Sequence, residues 1–364
     1  MIDNKLLSSA ERASFSLRSL YKQYGYLPFK MSKFEEYDLY ARNKDYLISD
    51  NVITFNDTDG RLLALKPDVT LSIIKNSVYE RGCKQKVYYN ENVYRVSPKV
   101  HRFKEIMQAG LECIGDTDII DTYEVIDLAA KSLALLSDDF VLDVSHLGIL
   151  SKILEGAGVG ADFIREATLL LAEKNNHELS KLCLDAGVDV EYAEAISNLV
   201  GIYGDMDSTL VSLKPICEKF GAMEQYSELE TLARLFSESE YFDRIRLDFS
   251  VVNNMNYYNG IVFKGFLRGI PDGVLAGGEY GMLMKRMGKP SGAIGFAIYL
   301  DMLEELSQQS REYDVDVLVV LGEGASLDSI IALKKKLTEQ GLSVSVQKAP
   351  PTKLRYKEII KLDK

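Results

Sequence analysis

The sequence predicts an α+β fold, in which an antiparallel sheet is flanked by helices and carries a helical insertion and a small C-terminal βαβ unit. Residues 86–115 form two alternating, tyrosine- and valine-rich segments joined by a charged loop, which is typical of paired strands. Residues 150–240 consist almost wholly of helix formers at amphipathic spacing. After residue 310 an apolar strand, a helix and a second strand follow in order.

These patterns divide the chain into four segments. We expect a core whose first part is 1–149, a helical insertion at 150–240, a second part of the core at 241–309 and a C-terminal βαβ unit at 310–364. A chain of 364 residues is long enough to bury such a core.

Charge and cysteine content indicate the class of protein. The chain carries 43 Lys+Arg against 54 Asp+Glu, a net charge of −11, which argues against a protein that grips nucleic acid mainly by electrostatics. Its cysteines are widely scattered and predict reduced thiols, as is typical of the cytoplasm. They are Cys83, Cys113, Cys183 and Cys217. We find no signal-peptide pattern at the start and no apolar run long enough to cross a membrane, so a soluble cytoplasmic protein is expected.

The first 70 residues predict a helix, a strand and a hairpin. Helical spacing covers residues 6–24, with Ser8 or Ser9 as the N-cap, and residues 25–40 are interpreted as a strand. Asp59-Gly60 is a turn signal within a hairpin at 52–65. The segment that follows, 66–70, is a helix start in which Asp68 or Thr70 acts as a cap.

The strand at 104–114 provides a candidate binding surface. Side chains alternate, so one face is apolar and the other carries Ile106, Gln108, Gly110, Glu112 and Ile114. Gln108 and Glu112 stand about 13 Å apart along the strand, enough to bracket a small molecule. Gly110 between them has no side chain to obstruct it. Solvated polar residues on a half-exposed strand are the plainer interpretation.

The rest of the chain continues the alternation of helices and strands. We expect a helix at 118–136, a strand at 141–150 with His146 near its end, and a return of the sheet at Ile245. A glycine pair at 277–278 allows a turn or a close approach to a ligand. The segment at 292–303 predicts a strand leading into a helix, and Ser326 caps the C-terminal helix.

Several of these segments resemble class II aminoacyl-tRNA synthetases in their histidyl form. Arg95, the basic loop after it and QAGLECIG resemble motif 2, and KPDVT resembles the family's RPEGT segment. The first helix and strand resemble motif 1, which implies a dimer. GAIGFAIYLDML resembles motif 3, and Tyr257-Tyr258 resembles LDYYN. The resemblance implies a class II aminoacyl-tRNA synthetase-like sheet and a truncated anticodon-binding-like C-terminal unit.

The resemblance also implies an amino-acid pocket. In the family the acidic residue at Asp68 pairs with the amino group, the arginine at Arg95 holds the carboxylate, and the tyrosines contact the imidazole. The implied histidine-binding residues are Asp68, Thr70, Arg95, Gln108, Glu112, Tyr257 and Tyr258. Without the resemblance, Asp68 and Thr70 are interpreted as a helix cap, the tyrosines as strand formers and His146 as a structural residue.

The family's catalytic cations are missing. Asn253 and Met302 stand where the family has arginines, Ser97 replaces the motif 2 glutamate, and Glu279 follows the glycine pair where an arginine is usual. Because such cations stabilise the charge of ATP in the transition state, we expect no working ATP site and no catalytic residues. The pattern implies no metal and no cofactor.

The chain retains the family's amino-acid pocket residues but lacks its catalytic cations. In this combination it resembles the regulatory subunits of ATP phosphoribosyltransferase. That resemblance implies a non-catalytic protein of histidine biosynthesis whose partner is the short-form catalytic subunit, with four copies of each in a hetero-octamer. L-Histidine is the implied feedback effector, no membrane is involved, and tRNA is not an expected ligand. One alternative is a divergent histidine–tRNA ligase. Another is a free-standing paralogue that modifies another protein or senses an amino acid.

Overall fold

The structure is a computed structural model that describes residues 7–47, 51–97, 101–252, 257–303 and 313–363. The chain divides into two compact units, residues 1–303 and 304–364. Within the described ranges, no helix is long and apolar enough to cross a membrane.

A nine-stranded sheet forms the centre of the first unit, beside a small three-stranded sheet. The strands of this unit are β1 Leu27–Pro28, β2 Phe34–Glu36, β3 Thr54–Asn56, β4 Leu62–Leu65, β5 Lys84–Ser97, β6 Arg102–Gly115, β7 Phe140–His146, β8 Tyr203–Asp205, β9 Ile245–Asp248, β10 Ile261–Leu267, β11 Leu275–Glu279 and β12 Gly292–Tyr299. The large sheet has the order β1-β5-β6-β12-β11-β10-β7-β9-β8, and β2-β4-β3 form the small one. Only the β1–β5 and β7–β9 pairs of the large sheet are parallel, so the predicted antiparallel architecture is confirmed.

Helices surround this sheet. They are α1 Ser9–Gln23, α2 Tyr37–Arg42, α3 Thr70–Asn76, α4 Ile119–Leu136, α5 Leu147–Gly156, α6 Ala161–Ala172, α7 Asn176–Asp185, α8 Val190–Val200, α9 Met206–Lys219, α10 Met223–Phe236 and α11 Gly281–Arg286. The predicted cap Ser8 begins α1 through a capping box with Glu11, and Asp118 begins α4 through a capping box with Asp121.

The long β5–β6 pair separates two hydrophobic clusters. Ala109, Leu111 and Cys113 pack into the larger cluster, which includes side chains of α1 and α4. Ile114 packs on the other side, in a smaller cluster with Tyr257. The predicted alternation is therefore confirmed, but both faces are covered. The interpretation of the polar face as half-exposed is wrong, because the smaller cluster buries it.

Two predicted strands are shorter than expected. The prediction of one continuous strand at 25–40 is wrong. Only the short strands β1 and β2 form within it, and Tyr37 begins α2. The strand at 141–150 stops at His146, because the His146 imidazole accepts a hydrogen bond from Gly148 N–H and caps α5. The predicted helical segment 150–240 contains most of α5, which begins at Leu147, and all of α6 to α10, together with the three-residue strand β8, which pairs with β9.

The second unit is a three-stranded parallel sheet with one helix. It contains β13 Val315–Leu321, α12 Leu327–Glu339, β14 Val344–Gln347 and β15 Tyr356–Leu362, in the sheet order β14-β13-β15. The predicted βαβ unit and the Ser326 cap are confirmed, whereas β15 was not predicted. Val317, Val319 and Leu337 form its core.

Candidate functional site

The predicted polar face of β6 lies within the protein. Gln108 and Glu112 are each only 2% exposed. Strand register places Glu91 of β5 and Tyr299 of β12 on either side of Gln108. The floor of the candidate pocket is thus made by three adjacent strands of the large sheet.

Glu112 is held by two hydroxyl donors. Thr70, at the start of α3, donates to Glu112 Oε1 at 2.8 Å, and the Tyr280 hydroxyl donates to Oε2 at 2.6 Å. Burial raises the pKa of Glu112 to about 8, although both hydrogen bonds act in the opposite direction. A positively charged group beside Glu112 would favour its ionised form, and the ionised carboxylate is a strong hydrogen-bond acceptor.

Asp68 and Arg95 form a buried pair near this carboxyl group. Arg95 Nη2 lies 3.5 Å from Asp68 Oδ2, and Arg95 Nε donates to the Pro67 carbonyl at 2.6 Å. Asp68 Oδ1 accepts the Leu71 N–H at 2.9 Å, so the carboxylate also helps to begin α3, as its position before a helix predicted. Burial raises the pKa of Asp68, and Arg95 opposes that effect.

Tyrosine side chains line the other side of the pocket. The rings of Tyr257 and Tyr258 are 4.6 Å apart between centroids, and those of Tyr257 and Tyr280 are 5.7 Å apart. Both predicted tyrosines lie in irregular backbone rather than in a strand. Burial raises the pKa of all three hydroxyls above the usual value of 10.0, so they act as neutral hydrogen-bonding groups.

The glycines of the floor make room for tyrosines of the protein itself. A Cβ atom on Gly110 would lie 2.6 Å from the Tyr89 hydroxyl, so the expectation of free space above Gly110 is wrong. A Cβ atom on Gly278 would lie 2.8 Å from Tyr258 Cδ1. Gly278 of the predicted glycine pair therefore allows Tyr258 to pack on the sheet.

The sequence did not single out several residues at the site. Tyr280 binds Glu112, Tyr89 covers Gly110, and Lys66 Nζ pairs with Glu91 Oε2 at 2.5 Å. The pairing register of β5 with β6 would have identified Tyr89 and Glu91, because they face Gly110 and Gln108. Sequence periodicity alone does not give that register.

The positions that depart from the synthetase pattern lie in different surroundings. Met302 is partly buried against the larger hydrophobic cluster. Glu279 accepts hydrogen bonds from Thr122 at 2.8 Å and from the Ile261 N–H at 3.0 Å, on the α4 side of the sheet. Its charge is therefore outside the pocket. Ser97 ends β5, and Asn253 lies outside the described residues.

The described residues include no group of three or more His, Cys, Asp and Glu side chains that could hold a metal ion. A cleft of about 520 Å³ lies elsewhere, along α8 and α9. Its lining contains none of the predicted pocket residues.

Comparisons with known proteins agree with this architecture. The sequence profile described as histidyl-tRNA synthetase matches residues 5–303. An ATP phosphoribosyltransferase regulatory subunit from Caldanaerobacter subterraneus subsp. tengcongensis is 31% identical over 302 residues, covering 81% of this chain and 78% of the relative. A histidine–tRNA ligase from Methanocaldococcus jannaschii is 26% identical over 339 residues, covering 91% of this chain and 80% of that protein.

Solved structures share the fold. A Bacillus halodurans protein described as ATP phosphoribosyltransferase regulatory subunit/histidyl-tRNA synthetase superposes with a TM-score of 0.73 at 20% identity, covering 98% of this chain and 94% of that one. One chain of the ATP phosphoribosyl transferase (HisG:HisZ) complex from Thermotoga maritima gives a TM-score of 0.62 at 19% identity, covering 79% of this chain and 96% of that chain. The predicted class II synthetase-like fold is confirmed.

Proposed function

Because the chain belongs to the histidyl-tRNA synthetase family, in its branch of ATP phosphoribosyltransferase regulatory subunits, we propose that it is a non-catalytic subunit of that transferase. In this proposal a short-form catalytic subunit requires the chain for activity. The chain binds L-histidine in its synthetase-like pocket and transmits feedback inhibition in the first step of histidine biosynthesis.

The observation that carries the proposal is the contact between Asp68 and Arg95. An α-amino acid bears its ammonium and carboxylate on one carbon, so a carboxylate and a guanidinium already in contact are complementary to it. Asp68 accepts the ammonium and Arg95 the carboxylate. Both side chains are buried, so their charges are screened less than surface charges.

The remaining polar groups suit an imidazole ring. Glu112 offers a carboxyl group between Thr70 and Tyr280, and Gln108 Nε2 is a buried donor with no partner within the described part of the chain. An aromatic ring with polar nitrogens needs both flat apolar contacts and hydrogen-bond partners, and the tyrosine wall with Glu112 supplies them.

The composition of the site supports a regulatory role rather than adenylation. Met302, where the resemblance places a catalytic arginine, is an apolar side chain packed on the larger cluster, and methionine offers no cation to a phosphate. Losing one such stabilising group typically costs about 100- to 1000-fold in rate. The relative from Caldanaerobacter carries a regulatory name, in agreement with this proposal.

A structural neighbour suggests the partner of this chain. The Thermotoga maritima neighbour is part of a complex named HisG:HisZ. We extend that pairing to this chain and propose a dimer of it within a hetero-octamer in the cytoplasm. Bound histidine would act through its different affinities for the active and inhibited states of that complex, a coupling typically of about 1–3 kcal/mol.

Titration calorimetry with L-histidine tests the pocket. Asp68→Ala removes the group proposed for the ammonium, and we expect affinity to fall about 10- to 100-fold, as for loss of a hydrogen bond to a charged group. Asp162→Ala, in an exposed pair with Arg165, is the matched control and leaves affinity unchanged. Wild-type affinity in Asp68→Ala would contradict the pocket assignment.

A divergent histidine–tRNA ligase is the second candidate, since the Methanocaldococcus relative is one. Histidine-dependent exchange of pyrophosphate into ATP by the chain alone distinguishes the two. The regulatory proposal predicts none.

A further inference from the structure

A second buried ion pair, between Lys66 and Glu91, lies beside the pocket. Lys66 and Arg95 are the only lysine and arginine side chains that are buried across the described ranges. Arg95 pairs with Asp68, and Lys66 pairs with Glu91, whose side chain is 18% exposed. The two pairs are neighbours, because the backbone segment Lys66-Pro67-Asp68 joins them.

We propose, on the basis of the proposed function, that Glu91 determines which ligands the pocket accepts. Its charge admits a free amino acid and excludes derivatives whose carboxyl end carries a phosphoryl group, such as amino-alcohol phosphates and acyl adenylates.

The position of Glu91 supports this role. Alternation along β5 places Glu91 on the same face of the sheet as Arg95 and Tyr89, and register places it directly opposite Gln108. Gln108 Nε2 is buried and has no hydrogen-bond partner among the residues that the structure describes. Arg95, the group proposed for the ligand carboxylate, thus lies on the same face of β5 as Glu91. Any anionic group attached to that carboxylate would be brought closer to the Glu91 carboxylate.

The charges in the pocket also favour a free amino acid over a phosphorylated derivative. Asp68 and Glu91 are each paired with one of the two buried cations, and Glu112 is a third acid whose pKa burial raises to about 8. A ligand ammonium group favours the ionised form of Glu112, whereas an added phosphoryl group brings a further negative charge close to Glu91. Lysine and arginine side chains are among the groups that most often hold a phosphate. Lys66 cannot serve in this way while Glu91 holds it.

Stability alone is a weak explanation for this pair. The desolvation of a buried ion pair often outweighs the attraction between its charges, so an apolar pair of similar size would serve the fold as well or better. Lys66 is 1% exposed, so its burial cost is large. A role in ligand selection accounts for why a charged pair occupies this place.

Calorimetry with two probes tests the proposal. L-Histidine and L-histidinol phosphate are titrated into the wild-type chain and into Glu91→Gln, which keeps the size and polarity of the side chain but removes its charge. Like charges brought together cost several-fold to many-fold in affinity. We therefore expect the affinity for L-histidinol phosphate, relative to L-histidine, to rise about 10- to 100-fold in Glu91→Gln. An unchanged ratio would overturn the proposal.

Glu105→Gln is the matched control. Glu105 lies on β6 opposite Tyr94, on the other face of the strand pair, where it accepts hydrogen bonds from Asn92 and Tyr94. Glu105→Gln changes the net charge of the chain by the same amount as Glu91→Gln. We expect the ratio of affinities to stay at the wild-type value.

A double variant covers the case in which an unpaired Lys66 prevents folding of Glu91→Gln. Lys66→Met with Glu91→Gln removes both charges, so the repulsion disappears without creating a free cation. The ratio should rise, but less than in Glu91→Gln alone, and a wild-type ratio would overturn the proposal. Failure of the wild-type chain to bind L-histidine would instead contradict the proposed function, which separates the two conclusions.

Discussion

Replacing Glu112 by glutamine is expected to change how the stability of the protein depends on pH. The wild-type carboxyl group is 2% exposed and its pKa is raised from 4.5 to about 8, chiefly by burial. Because the pKa is higher in the folded state, the carboxyl group contributes fully to stability below pH 4.5. This contribution is lost as the pH rises through about 8.

The size of the effect follows from the difference between these two values. At about 1.4 kcal/mol per pKa unit, the wild-type protein loses at most about 5 kcal/mol between pH 4.5 and 8 through this group. Glutamine has no charge to bury, keeps an acceptor for Thr70 and can still hydrogen-bond Tyr280. We expect Glu112→Gln to lack this loss.

Urea unfolding of both proteins at pH 5, 7 and 9, without histidine, measures the difference. The free energy of unfolding of Glu112→Gln should rise relative to wild type as the pH increases. Glu105→Gln, on the opposite face of the same strand pair, provides the control and should follow wild type. Identical slopes for wild type and Glu112→Gln would refute the reasoning, because they would place Glu112 in contact with water.

Three further variants test the packing around the pocket and the sheet. Tyr280→Phe removes a hydrogen bond that lowers the pKa of Glu112, so in the same unfolding series the loss of stability with pH should be larger and should continue to higher pH. Gly278→Ala places a methyl group against the Tyr258 ring and should cost about 1–3 kcal/mol in urea unfolding, whereas an unchanged midpoint would contradict the packing. Asp118→Ala removes the capping box of α4 and should cost about 1 kcal/mol, measured as a lower thermal midpoint.

The sequence was sufficient where local patterns determine the structure. The alternation of residues 104–114 predicted the two faces of β6, and Ser8, one of the two predicted caps, begins α1. The Asp59-Gly60 turn predicted the β3–β4 hairpin, in which Gly60 has a φ of 86°. Each of these features depends on residues that are close in the chain.

Features that depend on distant residues were not predictable in the same way. Tyr280 reaches Glu112 across 168 positions of the chain, and Lys66 reaches Glu91 across 25. The burial of Gln108 and Glu112 depends on the smaller hydrophobic cluster, which brings together segments from both parts of the core. Alternation showed that these two side chains share a face but not that other segments cover it.

The resemblance to synthetases supplied what periodicity could not. It predicted that Asp68, Arg95 and Tyr257 belong to one pocket, and the structure brings Asp68 and Arg95 into contact. It gave no indication that tyrosines fill the space above the glycines. Tyr89 has that role because of its place in the β5–β6 register.

Phosphoribosyl transfer by a mixture of this chain and a short-form ATP phosphoribosyltransferase tests the central claim most directly. The assay compares the catalytic subunit alone with the mixture, each with and without L-histidine. We expect activity that rises in the mixture and falls when histidine is added. Activity of the catalytic subunit that does not change on mixing, together with histidine-dependent ATP–pyrophosphate exchange by this chain alone, would contradict that claim.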